Sequence, residues 1–177
     1  MPDPDGADDP QAAADVPSGY VDVHKNAWNE TLEDMWALEE ELQAEGWTTI
    51  ETAAGHTGLS TPLAEDDRAE MIHIVPDSDG EAIRDAFEAG EFPKYDVYRQ
   101  RVHNWAFAVI VLLDPGTEQA ILIASEFELT EADPAIEWTH ETGELYTVIK
   151  FLDGEVIGEL RHDNPEKFFP NYDEYAP

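Results

Sequence analysis

Apolar residues crowd into one stretch of this chain. Trp105 to Leu113 (WAFAVIVLL) has no polar position, and Ala120 to Ala124 (AILIA) answers it across Asp114-Pro115-Gly116-Thr117. A run that is apolar at both parities has to be covered on both faces. The pattern therefore predicts two long antiparallel strands within Asp96 to Leu129, at the centre of a sheet. The run is too short for a membrane-spanning helix, which needs about 20 residues. Pro-Gly favours a type II turn, whose twist suits a two-residue hairpin poorly. A loop of about four residues, or a bulge, is expected there.

Elsewhere the apolar spacing is helical or alternating. His24 to Glu45 reads as a helix stopped by Gly46, with Trp28, Leu32, Met35, Trp36, Leu38 and Leu42 on one stripe about 160° wide. Glu39 falls inside that stripe. Such a carboxylate either takes a cationic partner, with Arg99 and Arg101 the nearest candidates, or snorkels to water. Trp47 to Ala54 alternates like a strand, 55–68 reads as a long mobile loop, and Ala69 to Val75 is a second strand. Ser78-x-x-Glu81 resembles a capping box for a helix that runs to Ala89 and stops at Gly90. Asp133-Pro134 reads as N-cap and N1 of a third helix ending near Gly143. Asp153-Gly154 marks a two-residue hairpin between Leu145–Leu152 and Glu155–Arg161. Phe168-Phe169 should anchor the end of the chain. Residues 1–20, with four prolines and five aspartates, read as a disordered acidic tail before a single domain over 21–177. The order helix, strand, strand, three times over, implies an α+β fold: a largely antiparallel sheet of about six strands with helices on one face.

Charge changes this picture most. Against 9 Lys plus Arg stand 41 Asp plus Glu, a formal net of −32. Only 4 of those acids lie in residues 101–130, and the rest are spread along the whole chain. This is a coat over the exposed surface, not an acidic tail or a localised mimic of nucleic acid. Such a surface repels itself in dilute buffer and is tolerated where the Debye length falls to about 3 Å, near 1 M salt. The reading is adaptation to a molar-salt cytoplasm. The same charge opposes binding to nucleic acid or to an anionic membrane. The first residues lack the basic and apolar regions of a signal peptide, so a cytoplasmic location is expected.

The absence of cysteine excludes disulfides, thiolate metal sites and cysteine nucleophiles. No P-loop, dinucleotide glycine fingerprint, zinc-protease motif or serine elbow is present, and no cofactor is implied. Chemistry is concentrated at Lys94 to Trp105 (KYDVYRQRVHNW), which holds three of the nine basic residues. At strand parity Arg99, Arg101 and His103 share a face that leads into Trp105 and Phe107. A cationic strip beside aromatics suits a small phosphate, carboxylate or nucleotide-like ligand. The plainer alternative is that these arginines pair with the surrounding carboxylates. His73, His103, His140 and His162 lack metal-ligand spacing and read as separate histidines. Two functions follow. One is a binding or regulatory domain that takes a small anionic ligand or a partner at Arg99, Arg101, His103 and Trp105, with Glu39 nearby. The other is a small hydrolase or isomerase with Glu39 or His103 as general base and an arginine holding substrate.

FPKYDVYRQ (92–100), LLDPGTEQAILIA (112–124), YTVIKFLDG (146–154) and HDNPEKFFP (162–170), together with the acidic coat, resemble an uncharacterised haloarchaeal family of unknown function. The resemblance spans roughly residues 25–172. Those motifs are turns, strands and an anchor, so it implies a salt-rich host and carries over no functional residue.

Overall fold

The structure is a computed structural model and describes residues 18–175. Helix α1 (Ser18–Ala44) is followed by β1 (Thr48–Ala53), β2 (His56–Leu59), β3 (Glu70–Ile74), α2 (Asp77–Ala89), β4 (Lys94–Val102), β5 (Trp105–Asp114) and β6 (Gln119–Glu128). A 3-10 turn, Leu129–Ala132, leads into α3 (Asp133–Thr142), then β7 (Leu145–Lys150) and β8 (Val156–His162). Two more 3-10 turns, Pro165–Phe168 and Tyr172–Tyr175, form a carboxyl-terminal strap. The tail expected over 1–20 lies outside the described residues except at 18–20, which are helical.

The fold is α+β, but the single six-stranded sheet is not what forms. Eight strands make two mixed four-stranded sheets, sheet A in the order β1-β6-β5-β4 and sheet B in the order β2-β3-β7-β8. Each sheet contains one parallel pair, β1 with β6 and β3 with β7. The chain changes sheets within two residues: Ala54 N–H donates to Ala124 of sheet A, and Gly55 N–H donates to Ile74 of sheet B. That switch turns part of the expected mobile loop into β2, whose Thr57 is buried.

Sheet A is covered on both faces, as its unbroken apolar run requires. On one face Val109, Val111, Leu122 and Ala124 meet Met35, Trp28, Leu32 and Leu42 of α1. On the other, Ile110, Leu112, Ile121 and Ile123 meet sheet B through Met71, Leu145 and Ile149. Ile83 of α2 and Ile136 of α3 enter the same inter-sheet core, so the helices do not share one face of one sheet. Burying one such side chain contributes about 1.5–3 kcal/mol, and this doubly covered layer is where most of that contribution concentrates. Phe168 and Phe169 are fully buried and fasten the strap to the inter-sheet core, as the sequence suggests.

Local details differ for identifiable reasons. The Asp114 turn is the expected four-residue loop, closed by the Asp114–Gln119 pair, with Glu118 at φ 56. The β7–β8 turn is longer than two residues. Phe151 N–H donates to Glu155, Gly154 takes φ 95 and the ladder shifts register after Ile149, so the turn is a three-residue loop with a bulge. Pro76, not Ser78, is the N-cap of α2, and Asp77 and Asp79 place carboxylates at its positive end. Gly90 ends that helix in an extended conformation, and a Cβ there would collide with the Asp114 carboxylate, so the position requires glycine for space. Helix α3 begins one residue earlier than read, with Ala132 as its N-cap, and ends at left-handed Gly143.

A candidate anion-binding cleft

The expected long strand from Asp96 is two strands. His103 and Asn104 form a two-residue turn, with His103 at φ 56 and Val102 paired to Trp105. Histidine is among the few non-glycine residues enriched in that conformation. The turn changes which residues share a face. Arg99 and Arg101 pair with Ala108 and Ala106, on the sheet-B side of sheet A. Trp105 and Phe107 lie on the α1 side, beneath His24. The expected strip that carries Arg99, Arg101 and His103 into Trp105 and Phe107 is therefore not one surface: a turn of even length interrupts the parity count.

Glu39 lies at the far edge of sheet A. Its Oε2 accepts from Thr49 Oγ1 of β1 at 2.8 Å, and that hydroxyl in turn accepts from Gln43 Nε2 at 2.8 Å. Strands β1 and β4 are separated by β6 and β5, a span of roughly 14 Å at the usual strand spacing. Neither Arg99 nor Arg101 pairs with Glu39, and the proposed tie from α1 to the central hairpin does not exist. Trp36, placed in the apolar stripe, is 47% exposed. Its side chain bonds to Glu51, whose pKa is raised first by burial, then by the neighbouring charges of Glu39 and Asp79.

What the arginines do hold is the carboxyl-terminal strap. Arg99 Nε donates to the Lys167 carbonyl at 2.9 Å, and Nη2 stands 3.5 Å from the Glu166 carbonyl. Arg101 Nη1 pairs with Glu174 at 2.9 Å, and its Nε donates to the His103 carbonyl at 3.4 Å. Lys167 lies 3.8 Å from Asp96 and 5.1 Å from the centre of the Tyr95 ring. Strand β4 and the strap border a cleft of about 240 Å³ whose polar lining is Arg99, Asn164, Glu166, Lys167, Tyr172 and Asp173. Arg101 does not line it.

Arg99 differs from the other arginines in its partners. Arg68 pairs with Glu70 and Glu159, Arg84 with Glu155 and Glu81, Arg101 with Glu174, and Arg161 with Glu144. Among the described residues Arg99 has no carboxylate within ion-pair distance and spends its donors on main-chain carbonyls. Its guanidinium shares the cleft with Lys167 and with two carboxylates, Glu166 and Asp173, without forming an ion pair to either. The sequence pointed to Arg99 but not to Lys167 or Asn164. The cue for Lys167 was present, since it is the one Lys or Arg in residues 163–175, six residues after Arg161.

The histidines do not converge. His140 Nε2 lies 2.9 Å from the Tyr172 carbonyl, and its ring stacks on Tyr172. His73 and His162 are buried in sheet B, bonded to Thr57 and Thr147 at 3.0 and 2.7 Å. Burial lowers their pKa values, that of His73 to about 3 with a smaller share from nearby His162, and that of His162 to about 4. Among the described residues no group of three or more His, Asp or Glu side chains is arranged to hold a metal ion.

No curated protein and no solved structure matches this chain. A family's sequence model does, over residues 15–170, which takes in every strand and all but the last turn of the strap. The chain belongs to that family, DUF7529, a family of unknown function.

Proposed function

We propose that this is a salt-adapted cytoplasmic domain of haloarchaeal origin, non-catalytic, that binds a small anionic ligand in the cleft beneath the carboxyl-terminal strap. The dispersed net charge of −32 supports the salt-rich host. The ligand reading is carried by Arg99, a guanidinium that has no carboxylate partner among the described residues in a chain rich in carboxylates. Lys167 and Asn164 add a second cation and an amide donor. At about 240 Å³ the cleft falls below the range of roughly 300–1,000 Å³ usual for larger ligands. Its size therefore favours inorganic phosphate or a short carboxylate over a nucleotide. The catalytic alternative needs a base beside the held substrate, but Glu39 lies three strands away from Arg99 and His103 does not line the cleft.

Calorimetric titration in 1 M KCl with phosphate, acetate, citrate and a nucleoside monophosphate tests the reading. Phosphate or a short carboxylate should bind in the high micromolar to millimolar range. Arg99→Gln should weaken binding at least tenfold, the loss of one charge-assisted contact, while Arg84→Gln leaves it unchanged. Absence of heat with every anion, or equal binding by Arg99→Gln, would contradict it.

A further inference from the structure

The amino-terminal end of α1 is held in an unusual way. From Trp28 onward the helix is packed by Trp28, Leu32, Met35 and Leu42. Before that point support is thin. Val21 and Val23 are 49% and 42% exposed, and of the described side chains in residues 19–27 only Ala27 is buried and only His24 half-buried. His24 sits edge-on between Trp105 and Phe107, with ring centres 4.9 and 5.0 Å away. Its Nε2 stands 3.0 Å from Glu126 Oε2. That oxygen is withdrawn from water and has no aligned hydrogen-bond donor, so the contact with His24 is electrostatic in character.

We propose that His24 and Glu126 form a pH-dependent latch that fastens the first two turns of α1 to sheet A. With the imidazole protonated the pair is an imidazolium beside a carboxylate, and the latch is tight. With the ring neutral the buried oxygen loses its counter-charge, and the helix end loosens. The other acid on this part of the face, Glu128, is engaged by Thr130 at 2.7 Å and Asn104 at 3.4 Å. The rest of the cradle carries no charge: Trp105 and Phe107 on β5, and Gln100, which pairs with Phe107 across β4. On the helix itself Asp22 and Lys25 flank His24 and are exposed. A latch at this place governs access to Trp105, Phe107 and the outer face of β6.

Backbone amide exchange tests this, read at residues 21–27 with residues 35–42 of the same helix as internal control, at pH 5.5 and pH 8 in 1 M KCl and corrected for intrinsic rates. Protection at 21–27 should be about two- to fivefold higher at pH 5.5, the worth of one partly exposed ion pair. His24→Phe keeps the edge-on packing and removes the titration. It should abolish the local pH dependence, as should Glu126→Gln. Equal protection at both pH values in the parent chain, or a pH dependence that survives either substitution, would overturn the proposal.

Discussion

Two histidines sit where a charge cannot. His73 and His162 are 0% and 1% exposed, and each keeps one ring nitrogen, Nε2 and Nδ1 respectively, buried without a partner. Both are neutral in the fold because burial holds their pKa values at about 3 and about 4. An unfolded chain takes up those protons near pH 6.5, so the folded state binds fewer protons below that value. Their contribution to stability is complete above pH 6.5 and is lost as the pH falls towards 4 and then 3. Each histidine costs up to about 1.4 kcal/mol per pH unit in that window, so the pair costs roughly 4 kcal/mol at pH 5. Protonation of the raised Glu51 works the other way, as does relief of the surface repulsion. A comparison therefore isolates the histidines. Asn at 73 mimics the Nδ1 contact and Gln at 162 mimics the Nε2 contact. Urea unfolding of His73→Asn/His162→Gln between pH 7 and 5 should show a much flatter loss than the parent chain, and parallel slopes would assign the acid sensitivity elsewhere. At this scale the sequence was legible only in part. It marked Arg99 and Glu39 as conspicuous, but partners are set by which strands become neighbours. The apolar spacing marks His24 only as a helix start, although it shares a face with Trp28 four positions on, and that spacing is the available cue.

At the scale of elements, what local spacing determines was readable and what distant pairing determines was not. The α1 stripe, the apolar runs of β5 and β6, the α3 stop at Gly143 and the turn around Gly154 all follow from residues within a few positions of each other. The parallel pairs do not. β1 joins β6 with Thr49 opposite Ala120, and β3 joins β7 with His73 opposite Ile149. Neither pairing has a turn to announce it, and without them the two sheets look like one. The four-residue β2 has too short a pattern to register, and it gains its place from Thr57 meeting His73 in the core. Gly154 offers a check on the best-marked turn. At φ 95 a Cβ is disfavoured whatever the space around it, and none is crowded there. Gly154→Val should therefore cost about 1–2 kcal/mol through backbone strain alone. A melting shift no larger than that of Glu65→Val, at an exposed loop position, would show that the left-handed conformation is not required.

Across the whole molecule, charge and architecture divide the labour. Two sheets, with α1 on one and α2 and α3 entering between them, remove nearly all of the apolar run from water. The acids are left to the outside, where four of the five arginines are already paired with carboxylates. The remaining negative charge has no internal compensation, and only dissolved cations can screen it. The same excess makes an arginine without an ion pair among the described residues conspicuous, so the proposed salt adaptation and the proposed anion site belong to one account. Thermal melting of the full chain between 0.1 M and 2 M KCl tests that account most directly. Screening should relieve several kcal/mol of repulsion and raise the midpoint by about 10 °C or more. A midpoint that does not move with salt would contradict it.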